Sequence, residues 1–439
     1  MMEILLIYCN DYTIARFGKR RKEFPPLGVL YLASACEKQG IKVSIKDLST
    51  LVEKEIPFSH VIGLSINTSY IYPAFRKRIN EIRNKCDILL VGGQHATLYP
   101  KETLIELDAD YILLGEGEYN LPAIISECYD TALEDTSIQN VAGVYCRNNI
   151  EFARYSEQFR IMDLDQLPFP ARHLLPREDI VLEHRIPYSE ILSTNLITSR
   201  GCPYGCQFCG NIYKGFSFRS AKNVREEIKL IIKEYPEIEG IVFLDENLLF
   251  HKQHALDIIS CMQEVKLKWT CNARVDGFTL ELLPNIRDSG CVEIKYGIES
   301  GSQRILDRMR KGISLDIMEK TLKNTVENGI HTKCFLMYGY PGDNIESSNE
   351  TIEFLERNRK YIDRVNLFSF SPVPNSPIHR SGQCKDYSWE DYKIYHQLQH
   401  WWGNEEQYQE MKIGYKMLEN YILINYGDEL NGKSISSTN

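Results

Sequence analysis

SRGCPYGCQFCG, residues 199–210, carries three cysteines, Cys202, Cys206 and Cys209, in a C-x₃-C-x₂-C array. The apolar run just before it, residues 195–198, predicts a short buried strand, so the cysteines lie on the loop that leaves a strand end. Glycines and a proline within the stretch allow that loop to curl tightly. Cysteine thiolates are the ligands of iron–sulfur clusters, and a [4Fe–4S] cube takes four donors. Three local cysteines therefore predict a cluster with one iron open to a ligand that is not a cysteine.

This array resembles the signature of the radical S-adenosylmethionine (SAM) superfamily. The spacing, the aromatic Phe208 before the third cysteine, and the position after a first barrel strand all agree with that signature. The resemblance implies that SAM chelates the open iron and that the reduced cluster cleaves SAM to a 5′-deoxyadenosyl radical. A zinc site is the alternative. Zinc sites usually pair two C-x₂-C units, however, and no second such unit occurs here.

Composition and charge argue against several classes of protein. The net charge of −9 and the lack of a Lys/Arg-rich block give no support for a nucleic-acid partner. The local basic run at residues 16–22 is expected to be a solvated loop. No apolar stretch approaches the length of a membrane span or a signal peptide, so we expect no membrane partner. Thirteen cysteines without an export signal predict a cytoplasmic location, where thiols stay reduced.

The first 130 residues alternate short apolar runs with amphipathic segments of helical length. This alternation predicts an α/β fold that begins with a doubly wound (Rossmann/flavodoxin-like) parallel sheet. Ligands of such sheets bind beyond the carboxyl ends of the strands. The predicted strands cover residues 3–9, 43–48, 61–66, 87–91 and 111–115, with helices near residues 27–36, at 71–83 and from 119 onward.

Four segments of this half, FPPLGVLYLA, LSINTSY, VGGQHATLYP and GEGE, resemble the cobalamin (B12)-binding domain of B12-dependent radical SAM enzymes. Proteins that place a histidine below the cobalt use D-x-H-x-x-G, which is absent here, as it is in that branch. The glycines are expected to let the backbone approach a large ligand, and His95 is expected to hold its loop by hydrogen bonds. The candidate cobalamin-binding residues are Ser65, Thr68, Gly92, Gly93, His95, Gly115, Glu116 and Gly117.

From residue 195 onward the alternation predicts six βα units. Six units are too few for a closed eight-stranded barrel, so we expect an open (β/α)6 partial TIM barrel, followed by a short helical C-terminal region. The predicted strands are 195–199, 240–244, 267–273, 291–298, 331–338 and 364–370. The predicted domains are 1–130 (cobalamin-binding-like), 131–190 (linker), 191–385 (barrel with cluster) and 386–439 (helical region).

Polar residues follow the predicted barrel strands at the carboxyl ends, where chemistry gathers on parallel barrels. The segment Gly297–Ser300 resembles the superfamily motif whose glutamate contacts the ribose or amino group of SAM. Two interpretations of Arg274 stay open: a bidentate partner of the SAM carboxylate, or a buried ion pair with Glu299 or Asp245. By resemblance, the candidate SAM-binding residues are Glu299, Ser300, Asp245, Glu246, Arg274 and Gly339.

The resemblance implies an enzyme that methylates an unactivated carbon of a small molecule or natural product. It would use a [4Fe–4S] cluster, SAM and cobalamin, and an electron donor such as flavodoxin or ferredoxin. One alternative is a radical SAM dehydratase, ring-forming enzyme or oxidase without methyl transfer. Another is a non-catalytic cobalamin or SAM sensor, against which the intact cysteine loop argues. An enzyme acting on tRNA would need an added basic domain, which the chain lacks.

Overall fold

The computed structural model describes residues 2–10, 24–51, 55–129, 141–154, 158–211, 215–275, 279–385, 388–389 and 398–427. By its internal contacts the chain divides into two compact units. The N-terminal unit comprises residues 1–15, 20–180 and 388–393, and the barrel unit comprises residues 16–19, 181–387 and 394–439. The basic run at 16–22 lies outside the described residues. The domain limits expected from the sequence stay predictions.

The N-terminal unit is built on a six-stranded sheet of order β2-β1-β3-β4-β5-β6. Its strands are β1 Glu3–Tyr8, β2 Lys42–Asp47, β3 Val61–Ser65, β4 Ile88–Gly92, β5 Tyr111–Leu113 and β6 Val144–Cys146. The first five strands are parallel, and β6 runs antiparallel to β5 at the edge. The order confirms the predicted flavodoxin-like winding, which opens a crevice between β1 and β3.

Helices cover both faces of this sheet. They are α1 Leu27–Lys38, α2 Tyr72–Arg83, α3 Gln94–Leu98, α4 Pro100–Glu106, α5 Asn120–Tyr129 and α6 Arg177–Ile180. Strand β1 is buried on both sides: Leu5 and Ile7 join the apolar cluster that contains Phe75 of α2, whereas Ile4 and Leu6 join the cluster on the other face. Burial on both faces is why the central strands are continuous apolar runs, which made them recognisable in the sequence.

The barrel unit contains a six-stranded sheet of order β14-β13-β12-β11-β10-β7, parallel throughout. Its strands are β7 Ser193–Leu196, β10 Gly240–Phe243, β11 Lys268–Ala273, β12 Cys291–Glu299, β13 His331–Tyr338 and β14 Arg364–Ser369, and a small hairpin joins β8 Ser199–Arg200 to β9 Ser217–Phe218. Because β7 and β14 stand at opposite edges of the sheet, the open partial barrel is confirmed.

Eight helices are present in the described part of this unit. They are α7 Ala221–Glu234, α8 Lys252–Val265, α9 Thr279–Asp288, α10 Gln303–Arg308, α11 Leu315–Glu327, α12 Ile345–Arg357, α13 Pro377–Arg380 and α14 Glu405–Tyr426. The side chain of Ser220 accepts a hydrogen bond from the amide of Asn223 and caps the start of α7. Helix α14 confirms the helical C-terminal region over its length. No helix in the described residues is both long and apolar enough to cross a membrane.

The side chains of β12 alternate between the helical layer and the barrel interior. The Tyr296 hydroxyl is 2.9 Å from Thr325 Oγ1 on α11, so this side of the strand faces the helices. Because successive strand residues point to opposite faces, Lys295 and Gly297 face the interior. The Glu299 carboxylate lies on the same side, since its Oε1 would be 2.6 Å from a Cβ on Gly297. The strand therefore carries its chemistry-bearing residues on one face.

Candidate functional site

The loop that carries the three cysteines is held by backbone hydrogen bonds at its middle. The Gln207 amide donates to the Met309 carbonyl at the end of α10, and the Ile378 amide of α13 donates to the Gln207 carbonyl, both at 2.9 Å. Cys206 is buried, Cys202 is half-buried and Cys209 is exposed. Among the described residues, no three His, Cys, Asp or Glu side chains converge as they would on a single metal ion. The thiols share one loop at the carboxyl edge of the barrel.

A buried cation lies beside the central cysteine. Arg274, at the end of β11, donates from Nη1 to Cys206 Sγ at 3.4 Å, and its other terminal nitrogen donates to the Lys311 carbonyl. Its guanidinium carbon lies 3.9 Å from the centroid of the Tyr204 ring. The guanidinium charge therefore lies directly beside the Cys206 sulfur. Arg274 thus contacts the cysteine loop at the Cys206 thiol. The sequence suggested a different role for it, as a partner of the SAM carboxylate.

The two acids that the sequence offered as ion partners of Arg274 have other partners in the described structure. The Glu299 carboxylate pairs with Lys311, whose Nζ lies 2.8 Å from Oε1. Asp245 accepts hydrogen bonds from Thr198 and Ser199. Both interpretations of Arg274, the buried ion pair and the partner of the SAM carboxylate, stay predictions.

Glu299 ends β12 in an unusual conformation. Its φ of +67° lies in the left-handed region, where an L-residue with a side chain is strained. The pairing with β13 loses register between Gly297 and Glu299. A Cβ on Gly297 would lie 2.6 Å from the Glu299 carboxylate oxygen Oε1, so a larger residue here would push the carboxylate out of this position. The glycine and the glutamate of the motif are thus physically coupled.

Ser300 has a supporting position. Its hydroxyl accepts the Ser302 amide at 3.1 Å and lies 3.5 Å from Thr351 Oγ1 on α12. Gly301 fits tightly against the same helix, where an added Cβ would lie 2.6 Å from the Thr351 Cα. These contacts fix the loop after Glu299, so the Glu299 carboxylate is presented on a rigid strand end.

Asp245 fixes the segment from which the cysteine loop begins. Its carboxylate accepts the Thr198 amide at 3.0 Å and the Thr198 hydroxyl at 2.8 Å, and it accepts the Ser199 hydroxyl as well. His254 Nε2 lies 2.8 Å from the same Thr198 hydroxyl. Burial raises the pKa of Asp245, while these hydrogen bonds oppose that rise. The neighbouring Glu246 is exposed, and its charge adds to the burial that raises the pKa of the Cys202 thiol.

Replacing Asp245 by alanine is expected to destabilise the barrel unit by about 3 kcal/mol, because three buried donors lose their acceptor. The Asp245→Ala variant should also retain less iron per chain, because the hydrogen bonds that orient the start of the cysteine loop would be lost. Urea unfolding and iron quantitation after anaerobic reconstitution measure the two effects. The exposed Glu239→Ala variant, at the start of the same strand, serves as the control. Wild-type iron content and stability in the Asp245 variant would contradict this role.

Gly339 lies in a tight turn after β13. Its φ is +100°, and the amides of Gly339 and Tyr340 donate to Asp343 Oδ2 at 2.9 and 2.8 Å. Burial raises the pKa of Asp343 to about 7. Trp402 Nε1 donates to the Gly339 carbonyl at 2.7 Å, and a Cβ on Gly339 would lie 2.5 Å from Leu398 Cδ1. The C-terminal region thus covers one side of this turn, and contact of the turn with SAM stays a prediction.

In the N-terminal unit the predicted cobalamin-site residues gather at the carboxyl edge of the sheet. Ser65 and Gly92 are register partners at the ends of β3 and β4. Gly93 follows with φ +98°, and a Cβ there would lie 2.5 Å from the Ile66 carbonyl oxygen. The Thr68 hydroxyl accepts the Tyr70 amide at 3.4 Å within the neighbouring loop. The two loops therefore lie against each other at the edge where a flavodoxin-like sheet binds its ligand.

Three of the predicted cobalamin-site glycines allow close approach between segments of the protein itself. Gly93 makes room for the backbone of Ile66. Gly115, with φ +83°, makes room for Phe159, whose carbonyl oxygen a Cβ would overlap. The amide of Glu116 donates to that carbonyl at 2.9 Å, and its carboxylate accepts the Ile161 amide. These glycines permit close approach within the protein itself. Gly117 likewise lies against Leu32, which would be 3.0 Å from an added Cβ.

His95 is buried and joins the two loops. Its Nδ1 lies 2.9 Å from the Ser69 hydroxyl, as expected for a histidine that holds its loop. Its ring stacks on Tyr72 with centroids 3.9 Å apart, and Trp389 packs edge-on against both rings, 4.9 Å from His95 and 5.7 Å from Tyr72. Nε2 has no hydrogen-bond partner among the described residues. Burial lowers the pKa of His95 to about 3, so the imidazole is neutral at physiological pH.

The buried histidines His95 and His254 predict a loss of stability in acid. Burial lowers their pKa values from 6.5 to about 3 and about 4, so both are neutral in the folded protein. The stability that the two neutral histidines contribute is fully present above pH 6.5. It falls as the pH drops, because the unfolded chain then binds protons that the folded chain excludes. For each of the two histidines, the free energy of unfolding should fall by about 1.4 kcal/mol per pH unit below pH 6.5. Urea midpoints at pH 7.5 and 5.5 test this, and His254→Gln should flatten the slope whereas exposed His173→Gln should not.

Comparisons with known proteins agree with this geometry. Residues 196–355 match the Radical SAM superfamily, and residues 15–125 match the B12 binding domain. The chain is 28% identical over 370 residues to an uncharacterized methyltransferase of Pyrococcus horikoshii, covering 81% of this chain and 77% of the relative. It is 25% identical over 414 residues to cytidylyl-2-hydroxyethylphosphonate methyltransferase of Streptomyces wedmorensis, covering 80% and 76%.

Two further similarities are to a cyclase and to a methyltransferase of known structure. The anaerobic magnesium-protoporphyrin IX monomethyl ester cyclase of Rubrivivax gelatinosus is 25% identical over 408 residues, covering 86% of this chain and 69% of the relative. Among solved structures, the radical SAM methyltransferase TsrM from Kitasatospora setae superposes with a TM-score of 0.66 at 16% identity, covering 86% of this chain and 75% of that one. The latter similarity concerns the fold.

An open parallel barrel with three cysteines on the loop after its first strand defines a class of iron–sulfur enzymes that generate radicals. The chain belongs to the radical SAM superfamily and carries an N-terminal B12-binding domain. Its cofactors are a [4Fe–4S] cluster, SAM and cobalamin. The residues present fit these groups, because the barrel supplies three thiols with Arg274 beside one of them. In the N-terminal unit His95 is buried within its loop, which agrees with the absence of a cobalt-ligating histidine motif.

Proposed function

We propose that this enzyme methylates an unactivated carbon of a small molecule in a cobalamin-dependent reaction. The observation that carries the proposal is the presence of both a radical SAM barrel and a B12-binding domain in one chain whose relatives include methyltransferases. A barrel alone would support radical chemistry without a methyl carrier. The combination supplies both the source of the radical and the carrier of the methyl group.

When bound, the cluster and SAM supply a 5′-deoxyadenosyl radical, and cobalamin carries the methyl group. The chain positions these groups. Cys202, Cys206 and Cys209 would hold the cluster, and Arg274 places a positive charge beside the central thiolate. Glu299 would accept hydrogen bonds from the hydroxyl or amino groups of SAM, since its carboxylate is held at the strand end by Lys311. Ser300 and Asp245 would fix the two loops that carry these side chains.

A second candidate is an oxidative ring closure driven by the radical without methyl transfer. The similarity to the anaerobic cyclase of Rubrivivax gelatinosus, over most of this chain, favours it. Both candidates need the same cluster and the same cleavage of SAM. They differ in the fate of the SAM methyl group, which only the first transfers to the substrate.

The deciding experiment uses the full chain, reconstituted without oxygen and loaded with cobalamin. Incubation with SAM labelled in its methyl group, a reductant and a cell extract depleted of SAM should yield labelled organic product, together with 5′-deoxyadenosine and S-adenosylhomocysteine. The Cys202/Cys206/Cys209 triple alanine variant is the control for radical-dependent labelling. Formation of 5′-deoxyadenosine with no transfer of label, while an organic compound is dehydrogenated, would exclude methylation and favour ring closure.

The remaining assignments extend the same proposal. The thirteen cysteines suit a reducing cytoplasm, where a flavodoxin or ferredoxin would reduce the cluster. The acidic net charge favours a small-molecule substrate over a nucleic acid. We also retain residues 1–130, 131–190, 191–385 and 386–439 as the functional divisions of the chain. Limited proteolysis followed by mass spectrometry tests those limits.

A further inference from the structure

The segment that follows helix α10 contacts both residues between the second and third cysteines of the loop. The Gln207 amide donates to the Met309 carbonyl at 2.9 Å. Two residues further along, Lys311 Nζ lies 5.8 Å from the centroid of the Phe208 ring. A cation at this distance over an aromatic ring is attracted by the ring electrons. Segment 309–311 therefore holds the middle of the cysteine loop.

The Lys311 ammonium group is buried together with one carboxylate. Nζ donates to Glu299 Oε1 at 2.8 Å, and only 5% of the Lys311 side chain and 14% of the Glu299 side chain are exposed. Salt screens such a buried pair much less than a surface pair. A Cβ on Gly297 would lie 2.6 Å from Oε1 and 3.1 Å from Nζ, so the two groups fill the space over that glycine. The pair thus has little room to shift.

The backbone of Lys311 makes a second connection to the cysteines. Its carbonyl accepts a hydrogen bond from Arg274, whose other terminal nitrogen donates to Cys206 Sγ at 3.4 Å. The ammonium group and the carbonyl of one residue therefore reach the cysteine loop separately, the first through Phe208 and the second through Arg274. The same ammonium group binds the acid at the end of β12.

This arrangement connects two sites that bind different groups. A carboxylate has two oxygens, so Glu299 Oε2 can accept a ribose hydroxyl while Oε1 stays bonded to Lys311. A ligand that fixes the carboxylate then also fixes the ammonium group that lies over Phe208. Coupling between two binding events is reciprocal, so a loop ordered by its cluster favours the ligand, and the ligand favours the ordered loop.

We propose that Lys311 is a positioning residue that couples the nucleoside half of SAM to the cysteine loop. A ribose held by Glu299 fixes Lys311, which holds Phe208 and slows the opening of the loop around its cluster. This inference rests on the proposed function in its assignment of Glu299 to SAM. It extends that function, because SAM then protects the cluster through the protein as well as by direct chelation of iron.

The test uses 5′-deoxyadenosine, which has the adenine and ribose of SAM but no amino or carboxylate group to chelate iron. The cluster-containing full chain is mixed with an iron chelator without oxygen, and iron release is followed by absorption. Saturating 5′-deoxyadenosine should slow iron release about fivefold in the wild-type chain. Equal rates with and without the nucleoside would overturn the proposal.

Lys311→Met is the diagnostic variant, because methionine keeps much of the side-chain length and removes the charge. Its affinity for 5′-deoxyadenosine, measured by isothermal titration, should fall about tenfold. At a concentration that saturates the variant, the nucleoside should no longer slow iron release. A ligand that acted only as a steric shield would still protect the cluster, so continued protection in this variant would refute the coupling.

Two further variants complete this comparison. Lys311→Arg keeps the cation and should restore both the affinity and the protection. Lys323→Met removes the lysine of an exposed ion pair with Glu327 on α11 and should behave as wild type. Loss of protection in Lys323→Met as well would show a general effect of removing a charge and contradict the specific role of Lys311.

Gly297→Ala tests the same connection without removing a charge. Its Cβ would displace both Glu299 Oε1 and Lys311 Nζ, so affinity for the nucleoside and protection of the cluster should both fall. This variant takes the place of Lys311→Met if that chain does not retain its iron. Wild-type affinity and protection in Gly297→Ala would then exclude the coupling.

Glu299→Gln separates a failure of this inference from a failure of the proposed function. If Glu299→Gln binds SAM and 5′-deoxyadenosine as wild type does, the assignment of Glu299 fails and the coupling fails with it. If Glu299→Gln weakens binding but Lys311→Met does not, the coupling alone fails. Transfer of the labelled methyl group is measured separately and decides between methylation and ring closure.

Discussion

Replacing Cys206 by alanine is expected to abolish cluster binding and all formation of 5′-deoxyadenosine. Cys206 is the most buried of the three loop cysteines and the one that Arg274 contacts. A cube held by two protein thiolates loses one of its three fixed attachments. Iron quantitation and the visible absorption of the reconstituted protein measure cluster loss, and chromatographic detection of 5′-deoxyadenosine measures activity.

The matched control is Cys261→Ala, which removes an equally buried thiol from α8 in the same unit. That variant should lose a little stability but keep about four irons per chain. Together the two variants separate a general effect of removing a buried thiol from an effect on the cluster. Retention of a full four-iron cluster in the Cys202/Cys206/Cys209 triple alanine variant would refute the assignment of the loop.

Replacing Gly115 by alanine is expected to unfold or severely loosen the carboxyl edge of the N-terminal sheet. The added Cβ would overlap the Phe159 carbonyl, and φ +83° is itself unfavourable for alanine. Overlap with backbone cannot be relieved by rotating a side chain, so we expect a loss of at least about 3 kcal/mol. The variant should also release cobalamin during desalting, which cobalt quantitation detects.

Gly40→Ala provides the comparison for Gly115. Gly40 has nearly the same positive φ, +75°, but nothing lies within 4 Å of an added Cβ. The Gly40→Ala variant should therefore lose about 1 kcal/mol of its free energy of unfolding, from the backbone conformation alone. If the two variants unfold at the same urea concentration and hold equal cobalt, the close approach of Phe159 does not support the loop.

The sequence predicted the central strands of the N-terminal sheet well, because burial on both faces leaves a continuous apolar run. Barrel strands were found too, although one face of β12 carries polar residues. The predicted barrel strand 331–338 coincides with β13, and the predicted strand 291–298 falls one residue short of β12. Strand β6 was not predicted, since three residues carry no detectable period and its antiparallel pairing with β5 is a tertiary contact. The bounds of α9, which contains Pro284 in its interior, and of the short helix α10 were likewise not predicted.

The site was predictable where one short segment carries the chemistry and unpredictable where distant segments meet. The cysteine loop and Glu299 could be found from local motifs. The Lys311 partner of Glu299 could not, because a lysine twelve residues beyond the glutamate has no local pattern that marks it. The contact of Arg274 with Cys206 joins residues 68 positions apart. The close approach of Phe159 to Gly115 likewise joins residues that are distant in the sequence, so no local pattern marks it.

Trp389 makes the N-terminal unit discontinuous along the chain. This residue, more than 200 positions beyond the first 180, packs edge-on against the stacked rings of His95 and Tyr72. Excision of residues 2–180 as a portable module would leave that ring without one of its walls and open a buried, uncharged imidazole to water. Recombination between related genes that exchanged the first 180 residues alone would separate Trp389 from its partners. Successful exchange thus requires a matching tryptophan from the same parent, so the two distant stretches are expected to be inherited together.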